Sequence, residues 1–102
     1  MSDALSLEFE FISAMAPVQA EGTVAGCPFY FRARTQKWEF TLARNPGDDP
    51  VELGPEDVSR GAAWYRTGEV AGGPFAASYL PLDEARAIIR DCAREYLSVP
   101  QS

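Results

Sequence analysis

The sequence predicts an α+β domain: an antiparallel sheet of five or six strands that opens as a meander, with a C-terminal helix packed on one face. Three consecutive segments between Val18 and Ala43 alternate apolar and polar residues with period two, and short turns separate them. That is the pattern of antiparallel strands with one buried face. From Leu82 to Leu97 apolar residues recur every three or four positions instead, which is the pattern of an amphipathic helix.

The first sixteen residues fit two periods. Leu5, Leu7, Phe9 and Phe11 alternate like a strand, while Leu5, Phe9, Ile12 and Ala16 repeat like a helix; the β propensity of Phe and Ile favours the strand. Val18 to Ala25 sets Val18, Ala20, Gly22 and Val24 against Gln19, Glu21 and Thr23. Beyond Gly26-Cys27-Pro28, Phe29, Phe31 and Ala33 alternate with Tyr30, Arg32 and Arg34. After the Thr35-Gln36 turn, Trp38, Phe40 and Leu42 alternate with Lys37, Glu39 and Thr41. Asn45 to Pro50 has the composition of a turn. Gly54 to Gly61 reads as a helical turn or two, opened by Pro55 and closed by Gly61. Ala62 to Gly68 is predicted as a further strand carrying Trp64 and Tyr65. Val70 to Pro74 is a turn, and Phe75 to Leu80 is predicted as another strand. Pro81 opens the C-terminal helix, Asp83 and Glu84 suit its first turn, and Pro100 closes it.

A chain of 102 residues holds one core, so residues 1–102 are expected to form a single domain. The apolar fraction of 46% and the charged fraction of 24% are those of a globular protein. A net charge of −6 disfavours nucleic acid as a partner, because phosphate binding needs a basic field; it suits docking onto a basic protein surface. No apolar run approaches the length of a membrane span and no signal-peptide pattern opens the chain, so the expectation is no membrane partner and a cytoplasmic location. Cys27 and Cys92 stand 65 residues apart without a CxxC motif, and the chain has no histidine. Zinc, thiol-redox and histidine-assisted nucleophile chemistry therefore have no residues to rest on, and no cofactor is expected. The adjacent acids Asp48-Asp49, Glu56-Asp57 and Asp83-Glu84 occupy turns and helix starts, where dipoles favour them. An enzyme is not expected.

The residues that stand out are Tyr30, Arg32 and Arg34, which alternation turns away from the buried rings of Phe29, Phe31, Trp38 and Phe40. From Arg32 to Arg44 there are four basic residues and one acid; from Asp48 to Arg60 there are five acids and one base. Tyr and Arg are the commonest interface anchors, and an Arg fork grips carboxylates or phosphates bidentately. The simplest alternative is a solvated face whose charges pair across strands, Arg32 with Glu39 or Glu21. On the helix, Arg86, Arg90 and Arg94 lie four apart, with Asp83 and Asp91 placed to pair with Arg86 and Arg94.

The run Gly26 to Trp38, GCPFYFRARTQKW, resembles a segment of small uncharacterised bacterial proteins, in which a glycine turn leads into a PFYFRAR-like strand followed by Trp. That resemblance implies a bacterial source and no particular activity. If the first segment is helical, the order helix, three strands, short helix, two strands, helix is similar in topology alone to bacterial type III secretion chaperones; an immunity- or chaperone-like role, in which a small acidic protein masks a partner, is one form of the interaction reading below. The residues themselves predict a non-enzymatic domain that binds a protein partner or a second copy of itself, a homodimer, through the Tyr30/Arg32/Arg34 face or a free sheet edge. The rival is a small anionic ligand held by Arg32, Arg34 and Arg66, with Tyr30 and Trp64 stacked on an attached ring.

Overall fold

A computed structural model describes residues 6–14, 17–73 and 75–99. Strands β1 (Leu7–Ala14), β2 (Val18–Val24), β3 (Cys27–Arg34), β4 (Lys37–Ala43) and β5 (Ala63–Glu69) form one sheet in the order β1-β2-β3-β4-β5. Every neighbouring pair is antiparallel. Helix α1 (Leu82–Ser98) covers one face. The expected α+β class is the observed one, and the ambiguous first segment is a strand. The helix-first order behind the secretion-chaperone likeness is therefore not the order of this chain. Positions Leu5, Ala16, Pro74 and Pro100 of the sequence reading lie outside the described residues.

Local chemistry sets the meander. Ala25 and Gly26 both take positive φ, 52° and 85°, as the two-residue hairpin turn that matches strand twist requires. Thr35, at the next hairpin, also has positive φ, 57°, a conformation that a β-branched residue resists. It is held from outside: the Thr35 N–H donates to Ser78 Oγ at 2.9 Å, and the Ala77 N–H donates to the Thr35 carbonyl at 2.8 Å.

Those bonds come from the segment that alternation assigned to a strand, Phe75 to Leu80. It is instead a 3-10 turn, Ala77–Tyr79. The Ser78, Tyr79 and Leu80 N–H groups donate to the carbonyls of Phe75, Ala76 and Ala77. A strand would put Phe75, Ala77 and Tyr79 on one side. The turn buries Ala77 and Leu80 and leaves Phe75 and Tyr79 in water, so the sheet stops at five strands and the turn pins the β3–β4 hairpin.

The core lies between sheet and helix. Phe29, Phe31, Phe40 and Leu42 are fully buried against Ala85, Ile89, Cys92 and Ala93 of α1. Phe29 stacks on Phe40 at 4.7 Å, Trp64 meets Phe40 edge-on at 5.8 Å, and Tyr96 meets Trp64 edge-on at 5.7 Å. Of the predicted helix stripe, Leu97 is the exception; it lies exposed. Arg94 reaches Asp91 at 3.4 Å, as its spacing suggests, whereas Arg86 lies over the Phe9 and Phe11 rings at 5.8 and 5.3 Å. A cation over an aromatic face gains from the ring quadrupole, and the arginine stem shields two half-buried rings at the edge strand.

Two glycines make room for this aromatic layer. A Cβ on Gly22 would strike the Glu8 carbonyl oxygen and sit 2.5 Å from the Phe9 Cβ; one on Gly68 would sit 2.7 Å from three indole atoms of Trp38. Gly47, in a surface turn, has nothing nearer than the Asn45 side chain at 3.7 Å. Gly22→Ala and Gly68→Ala should each cost roughly 1–3 kcal/mol, the range for overpacking. Gly47→Ala should be near neutral. Thermal unfolding of the three variants checks this; equal melting temperatures would refute the packing account.

Candidate functional site

The face without the helix is built row by row from strand register. Glu10, Glu21, Tyr30, Thr41 and Tyr65 form one row across all five strands. The next holds Gln19, Arg32, Glu39 and Thr67, and the one beyond it holds Arg34, Lys37 and Glu69. On the other side of the Tyr30 row, Glu8, Thr23 and Pro28 line up. Glu8, Glu10 and Glu21 thus gather at the β1–β2 corner, and Arg32, Arg34 and Lys37 stand towards the β3–β4 hairpin with Glu39 and Glu69 among them; Tyr30 lies between the two groups.

The face is not open throughout. Thr41, read from alternation as solvated, is 6% exposed, and Ala43 and Ala63 beside it are buried. The β4–β5 connection folds over them, because small side chains there leave a depression for its two 3-10 turns, Pro50–Glu52 and Pro55–Asp57. The Asp49 carboxylate caps the first turn by accepting from the Val51 N–H at 3.0 Å, and buried Pro50 seats it. Asp57 locks the second: its carboxylate accepts the Gly54 N–H at 2.9 Å and binds Arg60 at 2.6 Å. Those bonds, the backbone one first, hold the Asp57 carboxyl below its ordinary range.

This loop and the acidic corner enclose a shallow groove of about 530 Å³, lined by Glu8, Glu10, Glu21, Asp49, Tyr30 and Val51 among others. Glu10 and Glu21 face each other directly across β1 and β2, a like-charge pairing that costs stability. At the basic corner a smaller depression of about 240 Å³ lies among Arg32, Arg34, Thr35, Lys37 and Glu39.

Register puts Arg32 opposite Glu39 as the alternation suggests, yet no ion pair joins them. The Glu39 carboxylate accepts from the Tyr65 hydroxyl at 2.7 Å and approaches Lys37 at 3.9 Å. Partial burial, and then this hydrogen bond, push the Tyr65 phenol up to about 12. Arg32 and Arg34 form no ion pair within the described residues, and neither do Glu8, Glu10 and Glu21.

The structure divides the five residues singled out from sequence. Tyr30, Arg32 and Arg34 share the helix-free face. Trp64 and Arg66 pair with Leu42 and Phe40 and so point to the helix side. There Arg66 binds Glu95 of α1 at 3.0 Å and lies 5.7 Å from the Trp38 ring centroid, while Trp64 packs into the aromatic core. An anion site built from all five is corrected accordingly: the sheet separates its two halves. Alternation assigns the sides of the three strands from Val18 to Ala43, but Ala62 to Gly68 is predicted as a strand with no side given to its residues, and its register against β4 is not written in either segment. The residues missed were Glu8, Glu10, Asp49 and Val51. Glu8 and Glu10 carried a signal, alternation with Phe9 and Phe11; Asp49 and Val51 come from a loop whose path has no sequence signature.

Cys92 is fully buried and near Arg66; burial pushes its thiol up to about 12. Cys27 is half-buried, with its Sγ 3.8 Å from the Tyr96 hydroxyl; burial first, and then this contact, raise the Tyr96 phenol. Among the described residues no group of three His, Cys, Asp or Glu could hold a metal ion, and no helix is long and apolar enough to cross a membrane. Compared with protein-family models, with curated proteins and with solved structures, the chain matches none. What fold and site define is a small α+β domain with one sheet face covered by a helix and the other divided by charge.

The Asp57 carboxylate stabilises the fold above its unfolded value, near 3.8, and that contribution fades as pH falls towards the lower folded value. Asp57→Asn should therefore be less stable than the parent at pH 7, and the gap should close in acid; a gap independent of pH in denaturant melts would refute the assignment. For Cys92 the sign reverses. Its thiol stays protonated in the fold while an unfolded one ionises near 9, so stability is lost as pH rises from about 9 to about 12. A chromogenic disulfide reagent at neutral pH should modify Cys27 readily and Cys92 only at the rate of unfolding. Equal rates would overturn that burial.

Proposed function

We propose that this chain is a non-enzymatic protein-interaction domain, self-association included, that docks through its helix-free sheet face. One observation carries the reading: Arg32, Arg34, Glu8, Glu10 and Glu21 stand around Tyr30 on a rigid sheet with no ion-pair partner among the described residues. A structural sheet face gains a little from neutralising charges across strands. Here Arg32 stands opposite Glu39 without forming an ion pair, and Glu10 and Glu21, two like charges, are set opposite each other. Interface centres favour Tyr and Arg anchors, and separated charges steer a partner and fix its orientation.

The face is also preorganised. Its strands are central or hydrogen-bonded on at least one side, and their opposite side chains are locked in the core. Little side-chain or backbone order remains to be lost at Tyr30 when a partner docks, which reduces the entropic cost of association.

A photoreactive benzophenone amino acid at position 30 should couple to protein in the native host, and the same group at the exposed helix position Arg90 should not. Tyr30→Asp should abolish association without shifting the thermal midpoint, since Tyr30 is only half-buried. Equal coupling from both positions, or none from position 30, would sink the proposal.

A further inference from the structure

We propose that the outer edge of β1, from Leu7 to Phe11, takes up an extended segment of a partner protein as a further antiparallel strand, one in which lysine or arginine alternates with apolar residues. The proposal goes beyond the docking face around Tyr30: it uses backbone groups that the face does not, and it stands whether or not Tyr30 is covered.

The direction of the β1 backbone follows from a single hydrogen bond. The Ala25 N–H donates to the Ser6 carbonyl at 2.9 Å, and Ser6 stands opposite Ala25 in the register that sets Leu7 against Val24. Hydrogen-bonded and non-bonded pairs alternate along an antiparallel ladder. Glu8 and Glu10 therefore exchange bonds with Thr23 and Glu21, while the N–H and C=O groups of Leu7, Phe9 and Phe11 point away from β2. Among the described residues no strand lies on that side and no hydrogen bond reaches those groups. The register shift between Phe11 and Ser13 ends the regular ladder. A row of unpaired backbone groups is a template for strand addition.

The two sides of β1 define what the added strand carries. On the helix side Leu7, Phe9 and Phe11 are half-buried, while Phe29, Phe31 and Phe40 further in are fully buried. The apolar layer thus runs out to the sheet edge, where Arg86 lies over the Phe9 and Phe11 rings, and apolar residues opposite these positions extend it. On the other side Glu8 and Glu10 are exposed, with Glu21 beside Glu10. Asp49 lines the same groove from the β4–β5 connection. Glu8, Glu10 and Glu21 have no ion-pair partner among the described residues, so a lysine or arginine opposite Glu8 and Glu10 gains a cross-strand pair at each. Arg32, Arg34 and Lys37, with Glu39 and Glu69 among them, stand on β3, β4 and β5, away from this edge. The β4–β5 connection packs on β3 and β4, with β2 between it and β1.

A second copy does not fit the edge. The two-fold pairing that uses every outward position sets Phe9 against its own copy and Glu8 against Glu10 of the other chain, with Glu21 next in line. Carboxylates would then meet with no base among them, and like charges directly opposite destabilise a sheet. The strand has none of the lysine or proline that commonly guards an edge; its acids repel a like strand and admit a basic one. The opposite edge, β5, is less suited, because Gly68 weakens it as a strand and Arg66 on its helix side is bound to Glu95.

Fluorescence anisotropy with a short labelled peptide of alternating valine and lysine tests this on the intact chain. The peptide should bind saturably, and its counterpart with glutamate for lysine should bind about tenfold more weakly. N-methylation of the valines, whose N–H groups face β1, should abolish binding, whereas N-methylation of the lysines, whose N–H groups face water, should not. The double variant E8K/E10K should reverse the preference between the two peptides, and Tyr30→Asp should leave binding in place. Should E8K/E10K fail to fold, amide exchange in the parent gives a second readout. Saturating peptide should slow exchange about tenfold at Leu7, Phe9 and Phe11 and leave Tyr65 and Thr67 on β5 unchanged. A peptide that does not bind, binding that survives methylation of the valines, a lysine preference unchanged in E8K/E10K, or no added protection at Leu7, Phe9 and Phe11 would each overturn the proposal. Each of these outcomes leaves the face around Tyr30 standing, since that face is read by coupling from position 30.

Discussion

The rest of the structure depends on a continuous row of rings that crosses the sheet beneath the helix. Phe11 meets Phe9, Phe9 meets Phe29, Phe29 stacks on Phe40, Phe40 meets Trp64, and Trp64 meets Tyr96 of α1. Contacts of this geometry are each worth about 0.5–1.5 kcal/mol beyond the area they bury. Because the row draws on β1, β3, β4, β5 and α1 in turn, it ties the register of four strands to the position of the helix. A slip of one residue in any strand would turn its ring to the opposite face. The Gly22 and Gly68 positions, the Arg86 cover over Phe9 and Phe11, and the Arg66–Glu95 bridge beside Trp38 are accommodations to this layer.

Once the rings define the inside, the polar residues between them have no choice of side. Tyr30 lies on the helix-free face because Phe29 and Phe31 do not, and Arg32 because Phe31 and Ala33 do not. The polar face is thus a by-product of core packing: the force that buries benzyl and indole groups also displays a tyrosine and two guanidinium groups on the other side of the sheet. The β4–β5 connection completes the surface by filling the depression over Thr41, Ala43 and Ala63. Buried Pro50 seats it on the sheet and Asp57 holds its second turn together from within, while Val51 and Val58 remain largely exposed.

The helix side shows why a residue type alone does not make a site. Arg66 and Trp64 have the same chemistry as Arg32 and Tyr30, but the first is spent on Glu95 and the Trp38 ring and the second on the core. Arg94 is engaged by Asp91 within its own helix. Arg32 and Arg34, by contrast, have no such engagement among the described residues. Availability, more than identity, separates a candidate recognition surface from structural charge.

Local sequence was sufficient for much of this. Period two between Val18 and Ala43 gave three strands and their buried sides, because side-chain direction alternates within a strand whatever surrounds it. Period 3.6 from Leu82 gave the helix for the same kind of reason. Two things were decided only in three dimensions. Phe75 to Leu80 alternates as a strand would, yet it turns: its N–H groups bond within the turn and to the Thr35 carbonyl, and Ala77 and Leu80 are buried at the end of the sandwich. The distribution of charge over the helix-free face depends on which residue of one strand stands beside which of the next, a relation between segments up to tens of residues apart that no single segment encodes. Sidedness is a property of the strand, but neighbourhood is a property of the sheet.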